Sequence, residues 1–190
     1  RGVAGTVFVH KIAGAAAEEG LSLADVKKLA EKAAQNVRSL GFAFDSCTVP
    51  AKGTPTFTLA EDEMEYGVGI HGEPGIRREK LLSAEQLADR MVTAIIADLQ
   101  LTANDPVALL INGFGATPLL ELYILNTFAV KVLNSHGIII DKIFVGNYMT
   151  SIDMAGASIS ILRLDDELKH YLHADSHAPN FYVNRNDHHA

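Results

Sequence analysis

The chain has 190 residues, enough for one domain with a sizeable core, and its apolar and charged fractions are those of an ordinary globular protein. Its net charge is −7 and it carries no Lys/Arg run, which argues against nucleic acid or an anionic membrane as partner. Cys47 is the only cysteine, so no intrachain disulfide can form and a reducing cytoplasm fits; no apolar run reaches the ~18 residues of a membrane span, and no signal peptide pattern is visible.

The elements follow in chain order. Residues 3–19 read as a helix ended by Gly20, though position 1 is Arg rather than Met, so the chain reads as a piece of a longer protein. Ser22 with Asp25 forms a variant capping box for a second helix reaching about Ser39, with Gly41 closing it. A short strand is expected from Phe42 to Val49, a loop over 51–62, a strand over 65–70 and another loop over 72–80. Ser83 and Gln86 make a capping box for a third helix, whose apolar face is Leu87, Met91, Ala94, Ile95 and Leu99. Asp105-Pro106 breaks it, and Val107 to Ile111 reads as a buried strand. A glycine-rich turn, 112–118, then enters a fourth helix, with Thr117 as N-cap and Pro118 at the first helical position. Strands over 138–145 and 156–164 flank a polar loop. A short amphipathic helix, Asp165 to His173, leads into a polar, loosely held tail from Ala174. Alternating helices and strands, with several strands joined only by loops, predict an α/β or α+β layered domain with a mixed sheet.

Five constellations are candidates for chemistry. The stretch Met64-Glu65-Tyr66-Gly67-Val68-Gly69-Ile70-His71-Gly72-Glu73-Pro74-Gly75 runs a strand into a histidine, with four glycines in the nine positions 67–75 clearing space around it. A neutral imidazole in such a place can add to a ketone carbon and give a tetrahedral hemiaminal. By spacing alone, a histidine hydrogen-bonded in a tight turn is the commoner outcome. The turn Gly113-Phe114-Gly115-Ala116-Thr117-Pro118 can present N–H groups to an anion or simply join strand to helix, and it lacks the lysine of a nucleotide-binding P-loop. The loop from Gly146 to Gly156 is rich in polar groups that either cap backbone or line a site. Cys47 is expected as a small buried hydrophobe. His170, His173, Asp175 and His177 are spaced too loosely for a metal site and are expected as solvated surface.

Over about the first 165 residues the chain resembles the dihydroxyacetone kinase K subunit. The likeness rests on the His71 stretch together with Cys47-Thr48-Val49-Pro50, Phe57-Thr58-Leu59, Gly115-Ala116-Thr117-Pro118-Leu119, Glu121-Leu122-Tyr123, Asp153-Met154 and Asp165-Asp166-Glu167. It implies that residues 1–173 are the second domain of that subunit, residues 174–190 a polar tail, and that an N-terminal domain holding the acid/base aspartate is absent. It implies an α/β, two-layer domain with a mixed six-stranded sheet and helices on one face, and a homodimer. It implies that His71 captures dihydroxyacetone covalently, with Gly69 and Gly72 beside the substrate. No cofactor is expected on this chain; a partner nucleotide-binding subunit carries ADP or ATP with Mg and supplies the phosphoryl group, recharged in many bacteria by the phosphoenolpyruvate phosphotransferase system. Paralogues of the family keep the histidine yet act as ligand-sensing coactivators of a transcription regulator. A distantly similar fold holds fatty acids, a use that has no need of the imidazole.

Overall fold

The computed structural model describes residues 3–48, 50–51, 53–55, 57–71 and 75–184. Two helices open it, α1 (Thr6–Glu18) and α2 (Leu23–Gln35), joined at Gly20, whose φ of 83° suits a residue without a Cβ. There follow β1 (Val37–Ala43), β2 (Glu63–Tyr66), β3 (Arg77–Lys80), α3 (Ala84–Leu99), β4 (Pro106–Gly113), α4 (Leu119–Ser135), β5 (Ile139–Gly146), β6 (Gly156–Arg163), α5 (Asp166–His173), β7 (Ser176–Ala178) and β8 (Phe181–Val183). The first six strands form one sheet in the order β3-β2-β1-β6-β4-β5. Only β4 and β5 pair parallel; the other neighbours are antiparallel, so the α/β class and the mixed six-stranded sheet are as expected.

The layering differs from the expectation. In β4 every residue from Val107 to Gly113 is buried. Side chains alternate across a sheet, and here the alternation separates two cores. Val107, Leu109 and Ile111 join α3 and α4 in one cluster, whereas Ala108 and Leu110 join α1, α2 and α5 in another. Helices therefore cover both faces of the sheet rather than one. A continuous apolar run is the pattern of a strand buried on both sides, and residues 107–111 have it.

Several boundaries moved for physical reasons. The strand expected from Phe42 starts at Val37, and α2 stops at Gln35, where the Asn36 side chain donates to the Lys32 carbonyl. β1 pairs with β6 along its whole length, Val37 opposite Leu162 to Ala43 opposite Gly156, and this ladder outweighs the helical spacing that reaches into it. Gly41, read as a helix terminator, lies within β1; a Cβ there would stand 2.8 Å from Phe114 Cζ. The strand expected over 65–70 stops at Tyr66. Residues 77–80, expected as loop, form β3 at the sheet edge, where Arg77, Arg78 and Lys80 are exposed and Glu79 is half-buried. The tail is partly folded: β7 and β8 make a hairpin, Val183 is buried, and the Phe181 ring stacks on Phe144 at 5.3 Å.

Candidate functional site

The loop that carries His71 leaves the sheet where β2 ends. Gly67 has φ 79°, and a Cβ there would lie 2.5 Å from Ile76 Cγ1, so only glycine lets the two stems meet. Gly67 N–H donates to the Gly41 carbonyl (2.7 Å) and Ile76 N–H to the Tyr66 carbonyl (2.7 Å). Between the stems, Val68 is fully buried in a third apolar cluster with Ala43, Cys47, Phe114 and Met154, and Ile70 packs partly against it. Gly67 and Gly69 are buried and His71 is exposed. Gly72, Glu73 and Pro74 lie outside the described residues. The histidine thus stands in solvent on a segment whose preceding residues are held in a core.

That small core gathers four of the five constellations, the His71 stretch through Val68. Cys47 sits in it as the small hydrophobe expected. Phe114, from the glycine-rich turn, and Met154, from the polar loop, complete it. The turn and the loop are also bonded to each other. Phe114 N–H donates to the Gly156 carbonyl (3.1 Å), Ala116 N–H to the Met154 carbonyl (3.1 Å) and Ser151 N–H to the Phe114 carbonyl (3.0 Å). Gly115, φ 119°, permits this approach, since a Cβ would meet the Ile152 carbonyl oxygen at 3.1 Å. Thr117 does not cap α4 as expected. Its hydroxyl donates to the Gly156 carbonyl (2.7 Å) and accepts the Gly156 N–H (2.8 Å), and Pro118 occupies the N-cap position. The turn therefore commits its Phe114 and Ala116 donors, and the Thr117 hydroxyl, to the polar loop.

Two polar side chains that sequence reading passed over fasten these loops. Asn112 is fully buried at the end of β4; its Oδ1 accepts the N–H groups of Tyr148 (2.9 Å) and Met149 (2.8 Å), and its Nδ2 donates to the Met149 carbonyl (2.8 Å). The one signal for it was an amide closing an apolar strand, since a buried amide needs partners. Glu65, buried on β2, accepts the Gly75 N–H at 2.8 Å and faces Arg78 Nε at 3.5 Å. Asp153 Oδ1 accepts the Thr48 N–H (2.9 Å), tying the polar loop to the segment after β1.

The C-terminal histidines do other work. His170 Nε2 lies 3.0 Å from Glu19, and His173 Nε2 lies 2.5 Å from Asp141 Oδ2, so His173 is bound into the structure rather than merely solvated. Asp141 is the extra residue of a β-bulge, between Ile140 opposite Val107 and Lys142 opposite Ala108. Burial pushes the Asp141 carboxyl up, but hydrogen bonds and charge from Lys169 and His173 outweigh it and hold the group below its ordinary value. Asp175 and His177 line an open cleft of about 860 Å³ with Lys11 and Glu18. Among the described residues no group of three or more His, Cys, Asp or Glu is placed to hold a metal ion, and no helix is long and apolar enough to cross a membrane.

Comparison with known proteins gives a consistent result. The family model described as the Dak1 domain matches residues 1–180. The PTS-dependent dihydroxyacetone kinase 1, dihydroxyacetone-binding subunit DhaK, of Listeria innocua is 50% identical over 167 residues, which is 88% of this chain and 51% of that protein. Among solved structures, the dihydroxyacetone kinase operon co-activator Dha-DhaQ superposes with a TM-score of 0.85 at 38% identity, over 91% of this chain and 54% of its own. The dihydroxyacetone kinase of C. freundii, in complex with AMP-PNP and Mg2+, also gives 0.85, at 33% identity, over 95% of this chain and 33% of its own. A fatty-acid-binding protein of Thermotoga maritima, at 13% identity and a TM-score of 0.53 over 84% of this chain and 55% of its own, shares the fold alone. The chain spans about half the length of the curated DhaK relatives it matches.

Proposed function

This chain belongs to the Dak1 domain family, and on that premise we propose that it is the ketose-capturing part of a dihydroxyacetone kinase. The single observation that carries the proposal is the placement of His71: an exposed imidazole on a glycine-rich segment whose Val68 is locked into a core. The unprotonated imidazole nitrogen adds to C2 of dihydroxyacetone, the carbonyl oxygen takes a proton, the other ring nitrogen gives up the one it carries, and a neutral hemiaminal results. The same reading assigns Gly69 and Gly72 to the substrate site beside His71. Holding the ketose at a fixed point converts phosphoryl transfer to its terminal hydroxyl into a problem of positioning, which is most of what that reaction requires.

In this reading the chain is the second domain of a cytoplasmic, homodimeric subunit. A separate nucleotide-binding subunit carries the magnesium nucleotide, and phosphoenolpyruvate is the ultimate donor, in keeping with the PTS-dependent name of the Listeria relative. The acid/base residue lies in the part of such subunits that this chain does not span.

Native mass spectrometry of the full-length protein with dihydroxyacetone tests the capture. One ketose mass is expected on the wild type and none on His71→Ala, with phosphorylation by the donor subunit lost in parallel; an adduct that survives His71→Ala overturns the proposal. The 190-residue chain alone is expected to show no turnover with the donor subunit. A second reading, a ligand-sensing coactivator, is favoured by the equal superposition on Dha-DhaQ. Capture without any turnover by the full-length protein supplied with a competent donor subunit selects that reading.

A further inference from the structure

Glu65 is an expensive residue to bury. It is 6% exposed, among apolar neighbours on β2, and a carboxylate withdrawn from water must be repaid by partners. Met64 and Tyr66 point into the core shared with α3, so Glu65, by strand alternation, points to the opposite face. There the chain returns after the His71 loop. Glu65 Oε1 accepts the Gly75 N–H at 2.8 Å, and Oε2 lies 3.5 Å from Arg78 Nε, on the residue paired with Glu65 across β2 and β3. Gly75 has no room for a side chain: a Cβ would stand 3.1 Å from Glu65 Cγ and 3.0 Å from the Tyr66 carbonyl carbon. Together with Ile76 N–H on the Tyr66 carbonyl, this bond closes the stems of a loop running from 67 to 75. His71 is its midpoint.

We propose that Glu65 is a positioning residue for His71: its buried carboxylate accepts the Gly75 N–H, closes the loop, and so fixes where the imidazole stands before substrate arrives. The inference rests on the reading of His71 as the ketose trap. A nucleophile that adds to a carbonyl gains from being held at its attack position, because the entropy of ordering it is already spent. Losing the anchor weakens capture without changing the chemistry of the captured ketose.

The test uses the full-length protein with its donor subunit. Glu65→Ala is expected to raise KM for dihydroxyacetone roughly tenfold while kcat stays within about twofold, the size expected for one hydrogen bond to a charged acceptor. Glu65→Gln, whose amide oxygen can accept the same N–H, is expected to restore most of that loss. Amide hydrogen exchange at Gly75 should be slow in the wild type and in Glu65→Gln, and fast in Glu65→Ala. An unchanged KM in Glu65→Ala, a Glu65→Gln variant as impaired as Glu65→Ala, or an unprotected Gly75 amide in the wild type each overturns the proposal. Should Glu65→Ala not fold, wild-type exchange and the Glu65→Gln kinetics decide. Loss of Gly75 protection in Glu65→Ala, in a protein whose wild type shows no ketose adduct, supports the closure and overturns the capture reading instead.

Discussion

At the scale of single residues, the site depends on atoms that are absent as much as on those present. Gly41 lies in β1 under the segment that leads to His71, and a Cβ at that position would meet the Val68 carbonyl oxygen at 2.5 Å and Phe114 Cζ at 2.8 Å. Gly41→Ala is therefore expected to destabilise the protein by about 1–3 kcal/mol through overpacking. Displacing Val68 should also lower ketose capture; the denaturation midpoint and adduct yield measure the two effects. Asp141 makes a pH-dependent contribution. Its carboxyl is held below the ordinary range in the folded chain, so the stabilisation is present above the unfolded value and lost as pH falls through the folded one. Asp141→Asn is expected to cost about 1 kcal/mol near pH 7, with the difference from wild type beginning to shrink below about pH 4 and vanishing only once pH has fallen through the lower, folded value. Parallel urea titrations across pH check this, and a difference that grows in acid contradicts it.

At the scale of elements, local chemistry set some ends and pairing set others. Ser83 and Gln86 cap α3 reciprocally, as their spacing predicts: the Ser83 hydroxyl accepts the Gln86 N–H at 3.2 Å and the Gln86 side chain accepts the Ser83 N–H at 3.0 Å. Ser83→Ala is expected to lower stability by about 1 kcal/mol, read from the shift in thermal midpoint at unchanged helix content. Asp165 caps α5 through Leu168 N–H at 2.9 Å in the same way. Such motifs are legible because donor and acceptor lie three residues apart. Thr117 shows the opposite case. It had the identity and place of an N-cap, but its hydroxyl found Gly156, 39 residues away, and no local pattern announces such a partner. The start of β1 and the existence of β3 escaped for the same reason: both are strands because a neighbouring strand supplies their ladder.

At the scale of the whole molecule, the sheet is a shared wall between two cores. Leu109 and Leu110 are both fully buried, in different clusters, one toward α3 and α4 and the other toward α1, α2 and α5. Leu110→Ala is expected to cost about 3–5 kcal/mol, as much as Leu109→Ala. With helices on one face only, residue 110 would face solvent and tolerate the change, so thermal unfolding of the two variants distinguishes the architectures. Sequence alone determined what depends on neighbours along the chain: the capped helices, the buried run of β4, the glycine spacing around His71 and the family it signals. Tertiary structure alone decided what depends on residues far apart. It covered both faces of the sheet, gathered Val68, Cys47, Phe114 and Met154 into one core beneath the histidine loop, and set Glu65 against Gly75. Local geometry is written in the spacing of residues along the chain, whereas burial and cross-chain hydrogen bonds exist only once distant segments have met.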